Sequence, residues 1–393
     1  MHMKVSEISI GGWFQRTTLH LAEIYDFISE GTSPLALEQT ELTRLRDSLD
    51  INEYSMEVGE LETITFTTKD NVKVKIFEDG LITLRLLSPS SETKESIEKL
   101  TGYYENTLSP AISYIFSLGA PVPKELANIK TIYPYFVVAE NASEPECLSL
   151  LEEFSQKLRF EIKKDGFEIY RGDKLFIINN KSEQLSSVER FIEEQVFMRE
   201  FKGQLHRYLN LHRSIWEKIA EVKEKGEIRG GDVKEFYTKI ESYSKTINLI
   251  DARIEQMDTY LSTRKSMVKD DESLKDFFEV LEFKHETLGN TLKYIKGIWK
   301  MTKNYVDSAD KLFASIQAKS TESSVKNLTV ITSMGVGATL IGLFSQKAPT
   351  FTLFGVGYFF ALAFIGYSAD KIMKMYAAHN SYKIKDVDTA KDL

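Results

Sequence analysis

The sequence predicts a mixed-sheet α/β domain, then a long helical stalk, then two C-terminal transmembrane helices. Three observations predict this fold. Residues 4 to about 182 alternate β-branched or aromatic runs with helical periodicity, the pattern of a sheet layered with helices. No proline occurs between Pro145 and Pro349, so nothing in that stretch forbids very long helices. The segments 328–344 and 351–368 contain no acidic or basic residue, and each is within the ~17 to 25 residues that a helix needs to cross a bilayer.

In the first part, 1–182, strands are expected at 5–10, 63–67, 72–77, 81–87, 133–138, 158–162, 167–170 and 174–178. Glu78-Asp79-Gly80, Lys164-Asp165-Gly166 and Arg171-Gly172-Asp173 read as hairpin turns between them. Helices are expected over 92–118, kinked or broken at Pro110, and over 144–157 with Ser143 as N-cap. Residues 183–272 form a long helical hairpin, its first helix ended by Gly226, Gly230 and Gly231 and its second capped by Asp232.

The stalk, 273–327, carries a heptad seam. Apolar or ring-bearing residues recur at steps of four and three from Leu274 through Leu281, His285, Leu288, Leu292, Ile295 and Trp299 to Val306, Phe313 and Ile316, with Thr302 as the one polar interruption. A seam of this length with no internal partner of equal length predicts burial against neighbouring subunits. His285 reads as a packed seam histidine rather than a metal ligand, since only Glu282 lies near it on the same helix face. The helix is expected to continue unbroken into 328–344. A turn at 345–350 joins it to 351–368, and 369–393 is a tail. Lys319 and Lys326 before the first span and Lys371, Lys374, Lys383 and Lys385 after the second place both flanks in the cytoplasm and the turn outside.

Composition excludes several functions. A net charge of -8 argues against a large nucleic-acid partner. Cys147 is the only cysteine, so neither an intrachain disulfide nor a multi-thiolate metal site can form. There is no P-loop, no Gly-x-Ser-x-Gly, no HExxH and no dinucleotide-binding glycine motif after a strand, so no catalytic residue is assigned and the chain is not read as an enzyme. The one polar-aromatic cluster is Gly11-Gly12-Trp13-Phe14-Gln15-Arg16-Thr17. Here Trp13 could stack a base and Arg16 hold a phosphate, the alternative being a glycine turn with Trp13 in the core.

An α/β domain, a long stalk helix running into the first of two C-terminal spans, and cytoplasmic ends resemble the CorA-type divalent-cation channels. The likeness covers nearly the whole architecture and is concentrated in Val325-Lys326-Asn327-Leu328-Thr329-Val330-Ile331 and Ala338-Thr339-Leu340-Ile341-Gly342-Leu343-Phe344. The resemblance implies a homopentameric funnel in a prokaryotic inner membrane, in contact with lipid. Its pore would be lined by Val325, Leu328, Thr332, Val336 and Thr339, which form one stripe at steps of three and four. The family's Gly-Met-Asn tripeptide is absent. Ser345, Gln346 and Lys347 stand in its place, and a ring of lysines opposes Mg2+ at a pore entrance.

Some degenerate members of the family, found beside type III CRISPR systems, are membrane effectors that answer a nucleotide messenger, a conjugate of S-adenosylmethionine and AMP. Three expectations follow: a channel gated by a small ligand such as that nucleotide, a divalent-cation transporter regulated by intracellular Mg2+, and a non-conducting membrane scaffold.

Overall fold

The computed structural model describes residues 3–13, 21–89, 92–115, 132–164, 166–181, 185–224 and 227–344, and beyond these 360, 364, 367–368, 371–372, 375, 379 and 381–383. The chain folds as two compact units, Met1–Leu209 with Ala252–Lys296 and Asn210–Asp251 with Gly297–Leu393.

The first unit is built on a nine-stranded sheet of order β2-β3-β4-β5-β1-β6-β9-β8-β7. Its strands are β1 (Val5–Trp13), β2 (Ile51–Glu57), β3 (Thr63–Thr68), β4 (Val72–Phe77), β5 (Leu81–Leu87), β6 (Tyr135–Glu140), β7 (Phe160–Lys164), β8 (Phe167–Arg171) and β9 (Leu175–Asn180). Neighbours are antiparallel except β6 and β9, which run parallel. Each expected strand has a counterpart. The ninth, β2, is an edge strand whose residues are mostly exposed, so it lacks the apolar alternation that betrays a half-buried strand.

Alternation along the strands sorts side chains to two faces. Ile8, Ile10, Leu84, Val137 and Cys147 belong to a core shared with α1 (Leu21–Glu30), α2 (Gln39–Ser48), α3 (Thr93–Tyr103), α4 (Ser109–Ile115) and α5 (Glu144–Glu153). The expected 92–118 helix is instead interrupted by a π turn at Tyr104–Leu108. That turn lies just before Pro110, which has no N–H to continue the ladder. Ser143 caps α5 in a capping box with Glu146.

The other face of the sheet is covered by parts of three long helices, α6 (Leu185–Glu224), α7 (Val233–Asp270) and α8 (Phe278–Phe344). Phe191 of α6 meets Phe176 of β9 at 6.1 Å between ring centroids. Gly11 permits this layer to close on β1, because a Cβ there would sit 2.7 Å from the Ile82 carbonyl oxygen and 3.0 Å from Val196 of α6.

The second unit holds residues 210–251 of α6 and α7 and the α8 segment from Gly297 onward. Each unit thus draws on all three long helices. Within the second unit, β10 (Glu227–Arg229) pairs antiparallel with β11 (Ser381–Lys383), a partnership that two three-residue strands in the expected hairpin turn and tail give no pattern to reveal.

Two expectations are corrected. First, the seam is buried inside one chain. Leu281, His285, Leu292 and Ile295 in the first unit, and Trp299, Thr302, Val306 and Phe313 in the second, are each at most 3% exposed. α6 and α7, with 40 and 38 residues, supply the long partner that the sequence pattern assigns to neighbouring subunits.

Second, among the described residues no helix is long and apolar enough to cross a membrane. This overturns the transmembrane part of the expected fold and, with it, the pentameric funnel built on such helices. In the part of α8 before residue 328, Lys300, Lys303, Asp307, Asp310, Lys311 and Lys319 recur, and the apolar seam is buried within the chain. Most of the second expected span, 351–368, lies outside the described residues.

Candidate functional site

The helical layer of the first unit carries two groups of ionic side chains, one buried and one lining a cavity, and they differ in how their charge is balanced. One group is sealed. Arg264 of α7 donates from Nε and Nη2 to the Asp79 carboxylate at 2.7 and 3.2 Å, and from Nη1 to Glu194 of α6 at 2.8 Å. Its guanidinium lies 4.9 and 5.0 Å from the ring centroids of Phe77 and Phe197. Asp79 belongs to the Glu78-Asp79-Gly80 turn, where Gly80 takes a φ of 90°. The hairpin turn legible in the sequence therefore also anchors α7.

Burial alone would lower the Arg264 pKa, yet Asp79 and Glu194 outweigh it and hold the group fully charged. Burial likewise pushes Glu194 upward, and Arg264 and His285 bring it below the usual carboxylate range. His285 Nε2 is 3.5 Å from Glu194, so the seam histidine completes this cluster. Nearby, Arg85 is paired with Glu7 and Glu189, and Lys75 with Glu189 and Glu193.

The second group lines a cavity of about 380 Å³, within the roughly 300 to 1,000 Å³ usual for small-molecule sites. Phe136, Phe176, Met198, Leu205 and Leu288 give it apolar walls, and Phe283, 71% exposed, also borders it. Arg171 of β8, Arg199 and Lys202 of α6 and Lys284 of α8 add four cations. No carboxylate lines it among the described residues.

Among the described residues Arg199 alone of the four has a salt bridge, to Glu200 at 3.0 Å, and it also donates to the Gly11 carbonyl oxygen at 2.7 Å and to the Tyr133 carbonyl oxygen. Lys284 donates to the neutral Gln195 Oε1. Burial first, then the neighbouring Arg171 and Lys202, drive its pKa down to about 8. Gln195 is 6% exposed, and its Nε2 has no hydrogen-bond partner. The cavity therefore offers positive charge beside apolar and aromatic surface. Those are the groups needed to hold an anion attached to a flat or apolar body.

Helical spacing creates the arrangement. Gln195, Met198, Arg199, Lys202 and Leu205 form one stripe of α6, and Lys284, Thr287, Leu288 and Thr291 one stripe of α8. Sequence reasoning misses them because a lysine beside an apolar seam has the pattern of a solvated helix face. The available signal is that Lys284 precedes seam residue His285 and lies four residues before Leu288.

Trp13 takes the core position that was the alternative to stacking a base. It is 4% exposed, donates from Nε1 to the Asp79 carbonyl oxygen at 2.7 Å, and packs against Phe197 and Phe201 at 5.5 and 5.8 Å. Arg16, expected to hold a phosphate beside it, lies outside the described residues. Of the expected pore stripe, Thr332 and Val336 are on α8 and exposed. The side chains of Val325, Leu328 and Thr339, and the turn residues Ser345, Gln346 and Lys347, lie outside the described residues.

Asp271, in the acidic run that follows α7, caps the next 3-10 turn by accepting from Ser273 N at 2.9 Å. Among the described residues no group of three or more His, Cys, Asp or Glu side chains could hold a metal ion. Compared with protein-family models and with curated proteins, the chain matches none.

Proposed function

We propose that the chain is a ligand-responsive protein whose cavity takes a small organic anion with a flat or apolar body, a nucleotide being the class that meets both requirements. The proposal keeps the part of the ligand-gated expectation that rests on no membrane span. The observation that carries it is the lack of compensation in the cavity. Arg171 and Lys284 are half-buried and Lys202 is exposed, and the three face the cavity with no carboxylate in its lining among the described residues. The resulting cost falls mainly on Lys284, whose pKa burial lowers. A bound phosphate or carboxylate relieves that cost, and Phe136 and Phe176 offer surface to a base. Lys284, Thr287 and Thr291 line the cavity from α8, which is a single helix of 67 residues. Occupancy therefore acts on the first turns of a helix about 100 Å long, and a rigid helix can carry a small displacement far from the ligand.

Titration calorimetry of the full chain with AMP, pyrophosphate and adenosine tests this. AMP should bind, adenosine more weakly by at least about tenfold, and added salt should weaken AMP. Arg171→Ala and Lys202→Ala should each reduce AMP affinity about tenfold, the loss of one charge-assisted hydrogen bond. Equal affinity for AMP and adenosine, or no binding of AMP or pyrophosphate at millimolar concentration, would refute the proposal.

A further inference from the structure

We infer that Lys284 is a nucleophilic amine that forms a reversible imine with small carbonyl compounds bearing a carboxylate or phosphate, a reactivity that rests on the anion-binding reading of the same cavity. The geometry is that of an activated lysine. Lys284 lines an apolar cavity, has no carboxylate beside it among the described residues, and is hydrogen-bonded only to a neutral amide oxygen. Arg171 and Lys202 are the charges that act on it. Burial in an apolar pocket and nearby cations are the two devices that free a lysine's lone pair at neutral pH.

Its pKa of about 8 supports the same conclusion. At pH 7.5 a fair fraction of this amine is neutral, against about one part in a thousand for an ordinary lysine. Lower basicity gives back part of that gain in intrinsic nucleophilicity, which leaves an advantage of at least about tenfold over surface lysines.

The step balances without any oxidant or cofactor. The neutral Nζ attacks the carbonyl carbon and forms a C–N bond while the carbonyl oxygen takes up a proton. The carbinolamine then loses that oxygen as water, with the second proton of the water coming from the amine, and a C=N bond remains. Arg171 and Lys202 hold the substrate's anionic group. Neither carbon nor nitrogen changes oxidation state overall, and hydrolysis restores the lysine.

The test uses the full chain with glyoxylate, the simplest aldehyde carrying a carboxylate, and cyanoborohydride to reduce any imine to a stable secondary amine. At pH 7.5 and limiting glyoxylate, peptide mapping should place the first equivalent of adduct on Lys284, at least about tenfold ahead of any surface lysine. Lys284→Arg, which keeps the charge, should abolish that adduct, and excess pyrophosphate should slow it. Labelling that follows exposure and leaves Lys284 unmodified, while pyrophosphate still binds by calorimetry, overturns the imine and leaves the anion site standing. A fast adduct on Lys284 that pyrophosphate neither slows nor competes with supports the nucleophile and overturns the anion-binding reading instead.

Discussion

Arg264 and Lys284 are cations covered by the same helical layer, and they teach opposite lessons. Arg264 is 1% exposed, bonded to two carboxylates and flanked by two aromatic rings. Lys284 is half-buried, and its partner among the described residues is a neutral amide. A buried charge with full compensation fixes structure, because each partner would be costly alone. A half-buried charge without a carboxylate beside it is a local cost the fold has not removed, and such costs collect where a ligand supplies what is missing. The contrast predicts that deleting the two cations changes stability in opposite directions.

The largest effect is expected at the sealed cluster. Arg264→Met leaves the Asp79 and Glu194 carboxylates buried without their cation, which should cost about 3 to 5 kcal/mol in urea unfolding. Adding Asp79→Asn and Glu194→Gln to the same chain should recover a large part of the loss, because the orphaned charges are gone. A cost below about 1 kcal/mol for the single variant would mean that compensation is not what holds α7 against the turn.

Lys284→Met should act the other way and raise stability at pH 7 by about 2 kcal/mol, because it removes an uncompensated ammonium from an apolar cavity. The pH dependence follows from the direction of the shift. The folded pKa is lowered to about 8, below the ordinary lysine value of about 10.4. Between those values the unfolded chain keeps the proton that the folded chain has lost, so stability rises with pH across the window. Below pH 8 both states are protonated and the full cost is present. Thermal unfolding of the parent chain should show that rise between pH 8 and 10, and Lys284→Met should lack this component of it. A parent chain whose stability falls over the window would contradict the assignment.

What the sequence disclosed follows the same division. Alternating strands, the Glu78-Asp79-Gly80 turn, the Ser143 cap and the heptad seam are local or periodic features, and sequence distance is enough to see them. Which surface buries the seam is not local. The residues of α8 from Leu281 to Phe313 that form the seam are covered within one chain, and nothing in their spacing separates packing on α6 and α7 from packing on another subunit. The cavity was hidden for a related reason. Arg171, Lys202 and Lys284 come from three elements far apart in the chain, and each alone has the pattern of a solvated cation. The uncharged run 328–344 pointed toward a bilayer, whereas among the described residues no helix is long and apolar enough to cross one.

The smallest effect separates the two groups at a residue that was expected to bind ligand. Trp13 sits on β1 beside Phe197 and Phe201, and its indole N–H is bonded to the Asp79 carbonyl oxygen at 2.7 Å. It therefore belongs with the sealed cluster, since the same turn residue receives Arg264 on its carboxylate. Trp13→Phe keeps an aromatic ring in the core but removes the donor and part of the volume, and it should cost about 1.5 kcal/mol in urea unfolding. Trp13 does not line the cavity, so AMP affinity measured by calorimetry should stay within about twofold of the parent, the scatter expected for a site the substitution does not touch. If Trp13→Phe instead weakened AMP about tenfold while leaving stability unchanged, the tryptophan would be a ligand-binding residue after all, and the division between a sealed structural cluster and an open anion site would fail at β1.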